Sequence, residues 1–199
     1  KNGFDVLHVP NAIDLNNFPK KMIKKFEKQI IFAGRLSKEK GIDVLLDTAK
    51  RLPPEYNLLI LGIGPEEKKV RNIANSKTNI HYLGYQSKQN TISLIRGSDL
   101  LIQPSIMEGI SSTLLEAMGC ETCIIASNVG GNIEIIENNK TGVLVEPNNA
   151  EELVDKISYL LTENEKRSAM AANSFKTVVK YDWKQVGKLY LDIYESLLH

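Results

Sequence analysis

Short runs of apolar residues alternate along the chain with stretches in which apolar positions recur every third or fourth residue. The runs are QIIFAG (29–34), YNLLILG (56–62), NIHYLG (79–84), DLLIQPS (99–105), CIIASN (123–128) and GVLVEP (142–147). Most close on Gly, Pro, Ser or Asn, which punctuate strand ends. Helical patterns lie between them at IDVLLDTAKRL (42–52), EEKKVRNIAN (66–75), QNTISLIRG (89–97), STLLEAMG (112–119) and AEELVDKISYLL (150–161). Near-continuous apolar strands alternating with helices predict a parallel sheet covered on both faces, joined by right-handed crossovers. The predicted fold is an α/β, doubly wound, Rossmann-like sheet of about six strands with helices on both faces.

Two pieces fall outside this alternation. Residues 1–27 carry VPNAID and most of the basic stretch KKMIKKFEK (20–28), and a polar helix follows residue 163. In the final stretch Trp183, Val186, Leu189, Tyr190, Ile193 and Leu197 recur at helical spacing. The expected organisation is a leading segment (1–27) from a missing N-terminal domain, a ligand-binding domain (28–180) and a C-terminal helix (181–199). That helix either caps its own core or leaves a face for a neighbour. The basic stretch reads as a solvated linker face; peripheral contact with an anionic membrane, through a longer enzyme, is the alternative. The chain starts at Lys1 without a methionine and reads as part of something longer.

Composition narrows the classes. A chain of 199 residues can bury one substantial core. With 42% hydrophobic and 25% charged residues it has the make-up of an ordinary soluble protein. A formal net charge of +1 gives no reason to expect nucleic acid as a partner. No apolar run has membrane-spanning length, and nothing resembles a signal peptide. Cys120 and Cys123 form a C-x-x-C, but no second pair or nearby histidine completes a zinc site. They read as buried, reduced thiols, which points to a cytoplasmic location.

Ligands of open parallel sheets bind outside the carboxyl ends of the strands, and the unusual residues of this chain gather there. In GRLSKEKG (34–41), Gly34 permits a sharp turn, and Arg35 and Lys40 bracket a loop before a helix. Cations beside a helix N-terminus suit a diphosphate; a solvated basic loop, with Glu39 pairing Lys38 or Lys40, is the plain alternative. GIGP (62–65) is explained by a tight turn. In YLGYQS (82–87), Gly84 either brings backbone groups to a nucleobase, with Tyr85 beside it, or makes an ordinary turn. No G-x-G-x-x-G is present.

The segment EGISSTLLE (108–116) is the most informative. Ser111 or Ser112 can cap the helix, and Thr113 with Glu116 fits a capping box. Neither explains Glu108, which stands before the helix. A carboxylate beside free amides offers acceptors and donors together, as vicinal hydroxyls of a ribose or hexose require. A polyol bearing a phosphate fits Glu108, Glu116, Arg35 and Lys40 at once.

These motifs together resemble the C-terminal, donor-binding half of a retaining glycosyltransferase of the GT-B type, in the large Glu-x7-Glu family (glycosyl transferases group 1). The resemblance runs nearly end to end, through VPNAID, GRLSKEKG, GIGP, SDLLIQPS and EGISSTLLEAMGC to Gly130-Gly131 with Glu134, TGVLVEP and the Trp-containing last helix. It implies a hexosyl or related transferase that moves a sugar from a nucleotide-diphosphosugar to an acceptor with retention of configuration. Arg35 and Lys40 would hold the departing diphosphate. Glu108, with the backbone of Gly109, Ile110 and Ser111, would face the donor sugar and diphosphate. Ser112 and Thr113 would lie at the phosphate end of the helix, Glu116 would bind the ribose hydroxyls, and Gly34, Gly84 and Tyr85 would complete the donor site. No cofactor and no metal is expected.

The resemblance also implies that an acceptor-binding half, with its own catalytic histidine, is missing, so the chain alone is expected to be inactive. His8, His81 and His199 do not fit that role. Two stretches depart from the family pattern: Glu121-Thr122-Cys123 replaces the usual Gly-x-Pro, and Asn132-Ile133 replaces Ile-Pro. Both adjoin the site. A nucleotide-sugar epimerase half and a non-catalytic nucleotide-binding module are the alternatives.

Overall fold

Every residue of β1 (Gln29–Ala33) is buried, and its side chains divide between two cores. Ile30 and Phe32 enter one cluster while Ile31 and Ala33 enter the other. The same alternation runs through β2 (Asn57–Leu61), β4 (Leu100–Gln103) and β5 (Cys123–Ser127). This is why these strands read as continuous apolar runs: each face of the sheet is covered by helices. With β3 (Ile80–Gly84) and β6 (Val143–Val145), the strands form a six-stranded sheet in the order β3-β2-β1-β4-β5-β6. Every neighbouring pair is parallel. The computed structural model describes residues 9–198, apart from the side chain of Leu197. His8 and His199 lie outside that range.

The connecting helices are α1 (Ile42–Arg51), α2 (Glu67–Ser76), α3 (Lys88–Arg96), α4 (Ser112–Gly119), α5 (Asn132–Ile135) and α6 (Ala150–Thr162). The polar helix after residue 163 is α7 (Asn164–Val178), which buries Met170, Ala171, Ser174 and Val178. The single-turn α5 escapes a periodicity reading because one turn offers no repeat to detect.

The last helix, α8 (Trp183–Leu197), buries Val186 but leaves Trp183, Leu189, Tyr190, Leu191 and Tyr194 exposed. It therefore leaves a face open rather than capping the core. Its start is tied to the leading segment: Ile13 N donates to Tyr181 O and Trp183 N to Ile13 O, each at 2.9 Å. The basic stretch 20–28 keeps its lysines in solvent, yet its backbone is docked at the amino ends of the strands. Ile23 N donates to Ser93 O at 2.9 Å, Lys24 pairs with Asp99 at 3.0 Å, and Phe26 stacks on His81 with ring centroids 4.1 Å apart.

Both cysteines are free and buried. Burial pushes the Cys120 thiol up to about 12 and that of Cys123 to about 11, so neither is a reactive thiolate. Among the described residues no helix is long and apolar enough to cross a membrane.

Candidate functional site

The strand order reverses between β1 and β4, and in open α/β sheets the crevice at such a switch point is where ligands bind. Here the loops after β1, β2, β4 and β5 interlock, and glycines permit it. A Cβ on Gly41 would stand 1.8 Å from Pro104 O, one on Gly62 1.9 Å from Gly34 O, and one on Gly130 1.9 Å from Glu108 O. All three have positive φ, which a side chain would strain further. The glycines of GIGP therefore serve loop-on-loop packing against residues 34–36. The Gly130-Gly131 pair seats the backbone at Glu108, where Gly131 N donates to Glu108 O at 3.1 Å.

Lys40, expected beside Arg35 as a diphosphate ligand, is held by Glu108: its Nζ lies 2.7 Å from both carboxylate oxygens. Glu39 does not take that place; its carbonyl instead accepts from Ile106 N at 2.8 Å. Glu108 also accepts from Gln103 Nε2 at 3.0 Å, and Gln103 in turn bonds Ser111 Oγ.

Ser111 is the N-cap of α4, its hydroxyl facing Leu114 N at 3.5 Å. The capping box expected of Thr113 and Glu116 is therefore not formed. Thr113 is already inside the first turn, so Glu116 stands in the second, beyond reach of a cap. The backbone amides from Gly109 to Thr113 have no acceptor among the described residues. They form a run of donors at a helix N-terminus, an arrangement that favours an anion. Ile110 O is taken by Asn11 Nδ2 at 2.7 Å, which ties the leading segment to this loop.

Beside that run opens a cleft of about 550 Å³, lined by Gly34, Arg35, Gly62, Gly64, Tyr85 and Thr113 among others. Arg35 is exposed. Tyr85 is 74% exposed, so its ring is free to pack against a flat ligand. Gly84 has φ +63, and its carbonyl is already engaged by Gly62 N at 2.8 Å. That bond ties the end of β3 to the turn after β2.

Glu116 follows Thr113 by one turn of α4 and is largely buried; Lys88 Nζ stands 3.9 Å away. Burial pushes its carboxyl above the usual range, and Lys88 opposes the shift. A buried carboxylate with one loosely held counter-charge keeps lone pairs to offer.

The sequence reading passed over Gln103, Lys88, Asn11 and Gly41. Gln103 carried a visible signal, being the one polar residue of LLIQ. The pairings of Asn11 and Lys88 join distant segments and left no trace in spacing. A hollow of about 620 Å³ lined by Lys24, Lys28, Asp99 and Arg167 lies at the opposite ends of the central strands. It faces the amino ends of the strands, where a parallel sheet does not present its ligand-binding loops.

The switch-point crevice thus presents an exposed cation, unpaired helix amides and, one turn along α4, a largely buried carboxylate. The chain belongs to the glycosyl transferases group 1 family, whose model matches residues 14–177. An uncharacterized glycosyltransferase of Methanocaldococcus jannaschii is 31% identical over 169 residues, covering 84% of this chain and 48% of that one. The C-terminal domain of a glycosyl transferase group 1 family protein from Francisella tularensis has a similar structure. It is 25% identical with a TM-score of 0.72, over 86% of this chain and 99% of that domain. Anabaena HepE, solved with UDP-glucose, shares the fold at 20% identity and a TM-score of 0.83, over 94% of this chain and 57% of that one. The chain spans about half the length of the curated relatives it matches.

Proposed function

We propose that this chain is the donor-binding half of a glycosyltransferase that moves a sugar from a nucleotide-diphosphosugar to an acceptor with retention of configuration. The observation that carries the reading is that Arg35 and Thr113 line one cleft at the switch point, with the unpaired amides of Gly109 to Thr113 running up to it and the largely buried Glu116 one turn further along α4. Its likeness in extent to a C-terminal domain of the family supports the assignment to that half.

In this reading the amides and Arg35 bind the diphosphate, and Glu116 accepts hydrogen bonds from the ribose hydroxyls. As the bond between the anomeric carbon and the diphosphate oxygen breaks, its electron pair leaves on the diphosphate. Arg35 and Lys40 stabilise that growing charge, commonly the largest contribution to catalysis. Lys40 shares its own charge with Glu108, which fixes its position before a ligand arrives. Retention rests on the Glu-x7-Glu pattern of the family. The acceptor-binding half comes from the longer protein, as does any membrane contact.

Calorimetric titration of the chain with a panel of nucleoside diphosphates and their sugars tests the reading. Saturable binding of at least one pair is expected, with Arg35→Ala and Lys40→Ala weakening the diphosphate far more than the nucleoside. Charge-assisted hydrogen bonds to an anion contribute roughly 1.5–3 kcal/mol each. If both variants match the parent, GRLSKEKG is only a surface loop. The anomeric configuration of product made by the full-length enzyme, read by NMR, tests retention.

A further inference from the structure

The strand β4 is apolar until its last residue, where a glutamine is buried at 4% exposure. A buried amide must find partners or destabilise the fold, and those of Gln103 are all in the site. Its Nε2 donates to Glu108 Oε2 at 3.0 Å and lies 2.9 Å from Ser111 Oγ, and its Oε1 accepts from that hydroxyl at 3.1 Å. Glu108 and Ser111 are the two ends of the loop that leads into α4. One rigid side chain, rooted in the sheet, therefore grips both.

The consequence reaches Lys40. The ammonium meets Glu108 symmetrically, at 2.7 Å from each oxygen, so Lys40 alone leaves the carboxylate free to swing about it. The bond from Gln103 falls on Oε2 only and fixes the carboxylate plane. Ser111 is the N-cap, so the same amide also sets where the unpaired amides of Gly109 to Thr113 point. We propose that Gln103 is the positioning residue of the phosphate end of the site, fixing Lys40 through Glu108 and the anion-binding loop through Ser111 before the donor arrives. The proposal rests on the donor-binding reading for its ligand, but not for its hydrogen bonds. Gln103 touches no reacting atom; it acts through the groups that do.

Two variants separate this role from space-filling. Gln103→Met keeps the length and apolar packing of the side chain and removes every bond. Gln103→Glu keeps the shape but places a carboxylate, which cannot donate, against Glu108. Hydrogen exchange on the ligand-free chain should quicken in Gln103→Met at Leu114 and Leu115, whose amides bond Ser111, and at Gly131, whose amide bonds Glu108, with β1 and β2 unchanged. Affinity for UDP, GDP or ADP, whichever the parent binds, should fall about tenfold, as loss of a charge-assisted bond implies, while affinity for the matching nucleoside holds. In Gln103→Glu the diphosphate should bind weakly at neutral pH and recover toward the parent, compared at equal pH, as acid protonates the introduced carboxyl and restores a donor. Unchanged exchange with an unchanged diphosphate-to-nucleoside ratio would overturn the proposal, as would an absence of recovery in acid. A parent that binds none of the diphosphates, together with the expected exchange change, would instead remove the donor reading and leave Gln103 as the anchor of the loop.

Discussion

Glu108 and Glu116 belong to one loop-and-helix unit but live in opposite surroundings. Glu108 is matched by Lys40 and Gln103; Glu116 is buried with only Lys88 near it, at 3.9 Å. Because the folded protein raises the pKa of Glu116, it binds that proton more tightly than the unfolded chain. Stability from this group is then fully present in acid and is lost as pH rises from about 4.3, the unfolded value, through the raised one. Glu116→Gln should therefore be more stable than the parent at neutral pH, with the gain vanishing in acid, as thermal unfolding across pH would show. The same variant should weaken a nucleoside diphosphate and its sugar equally. Unchanged affinity in Glu116→Gln would return that residue to a helix-surface role.

Much of this was legible residue by residue, since Arg35, Lys40 and Glu108 are charges at strand ends where apolar runs stop. Their pairing was not. Lys40 and Glu108 sit on separate loops, and only the folded sheet brings them together.

At the scale of elements, strands and helices followed from the apolar periods because the central strands β1, β2, β4 and β5 are buried on both faces and the helices covering them on one. Where one turn decides, local pattern failed. Ser111 and Ser112 were both candidates for the cap; it is Ser111, which also bonds Gln103 at the end of β4, and the capping box that the spacing of Thr113 and Glu116 suggests is not formed. The glycines were legible as turns but not as contacts between loops. Their roles separate by substitution. Gly130→Ala would drive a methyl into Glu108 O at positive φ, so it should cost more than about 1 kcal/mol and loosen the 108–111 loop. Gly109→Ala meets nothing within 4 Å and should stay within about 0.5 kcal/mol of the parent. Urea unfolding of the two variants checks the contrast; equal costs would mean that the loops do not interlock as described.

His81 reports on a third element, the docked stretch 20–28. Burial and Lys25 hold its imidazole below the ordinary value, while Phe26 stacks on the ring. The stability it contributes is present above about pH 6.5, the unfolded value, and is lost as pH falls toward the depressed one. His81→Phe should flatten the pH dependence of unfolding in that window. A slope identical to the parent's would detach His81 from this account.

For the whole molecule, a chain half the length of its relatives carries one complete cleft and, on α8, an exposed face of Trp183, Tyr190 and Tyr194. The fold was legible as a whole because alternation of strand and helix leaves few topologies open. The open face of α8 was legible only as one of two outcomes, since helical spacing marks apolar positions without naming what covers them. The purified chain should bind donor yet transfer little or no sugar; robust turnover with any acceptor would contradict the division of labour proposed here. The central claim is that a nucleoside diphosphate sits at the switch point. Heteronuclear NMR of the chain, titrated with the diphosphate that binds in calorimetry, tests it directly. The account expects the largest shifts at the amides of Gly34, Arg35 and Gly109 to Thr113, with Lys24 to Lys28 and Arg167 silent. Shifts centred on that opposite hollow, with the 109–113 amides unmoved, would contradict it.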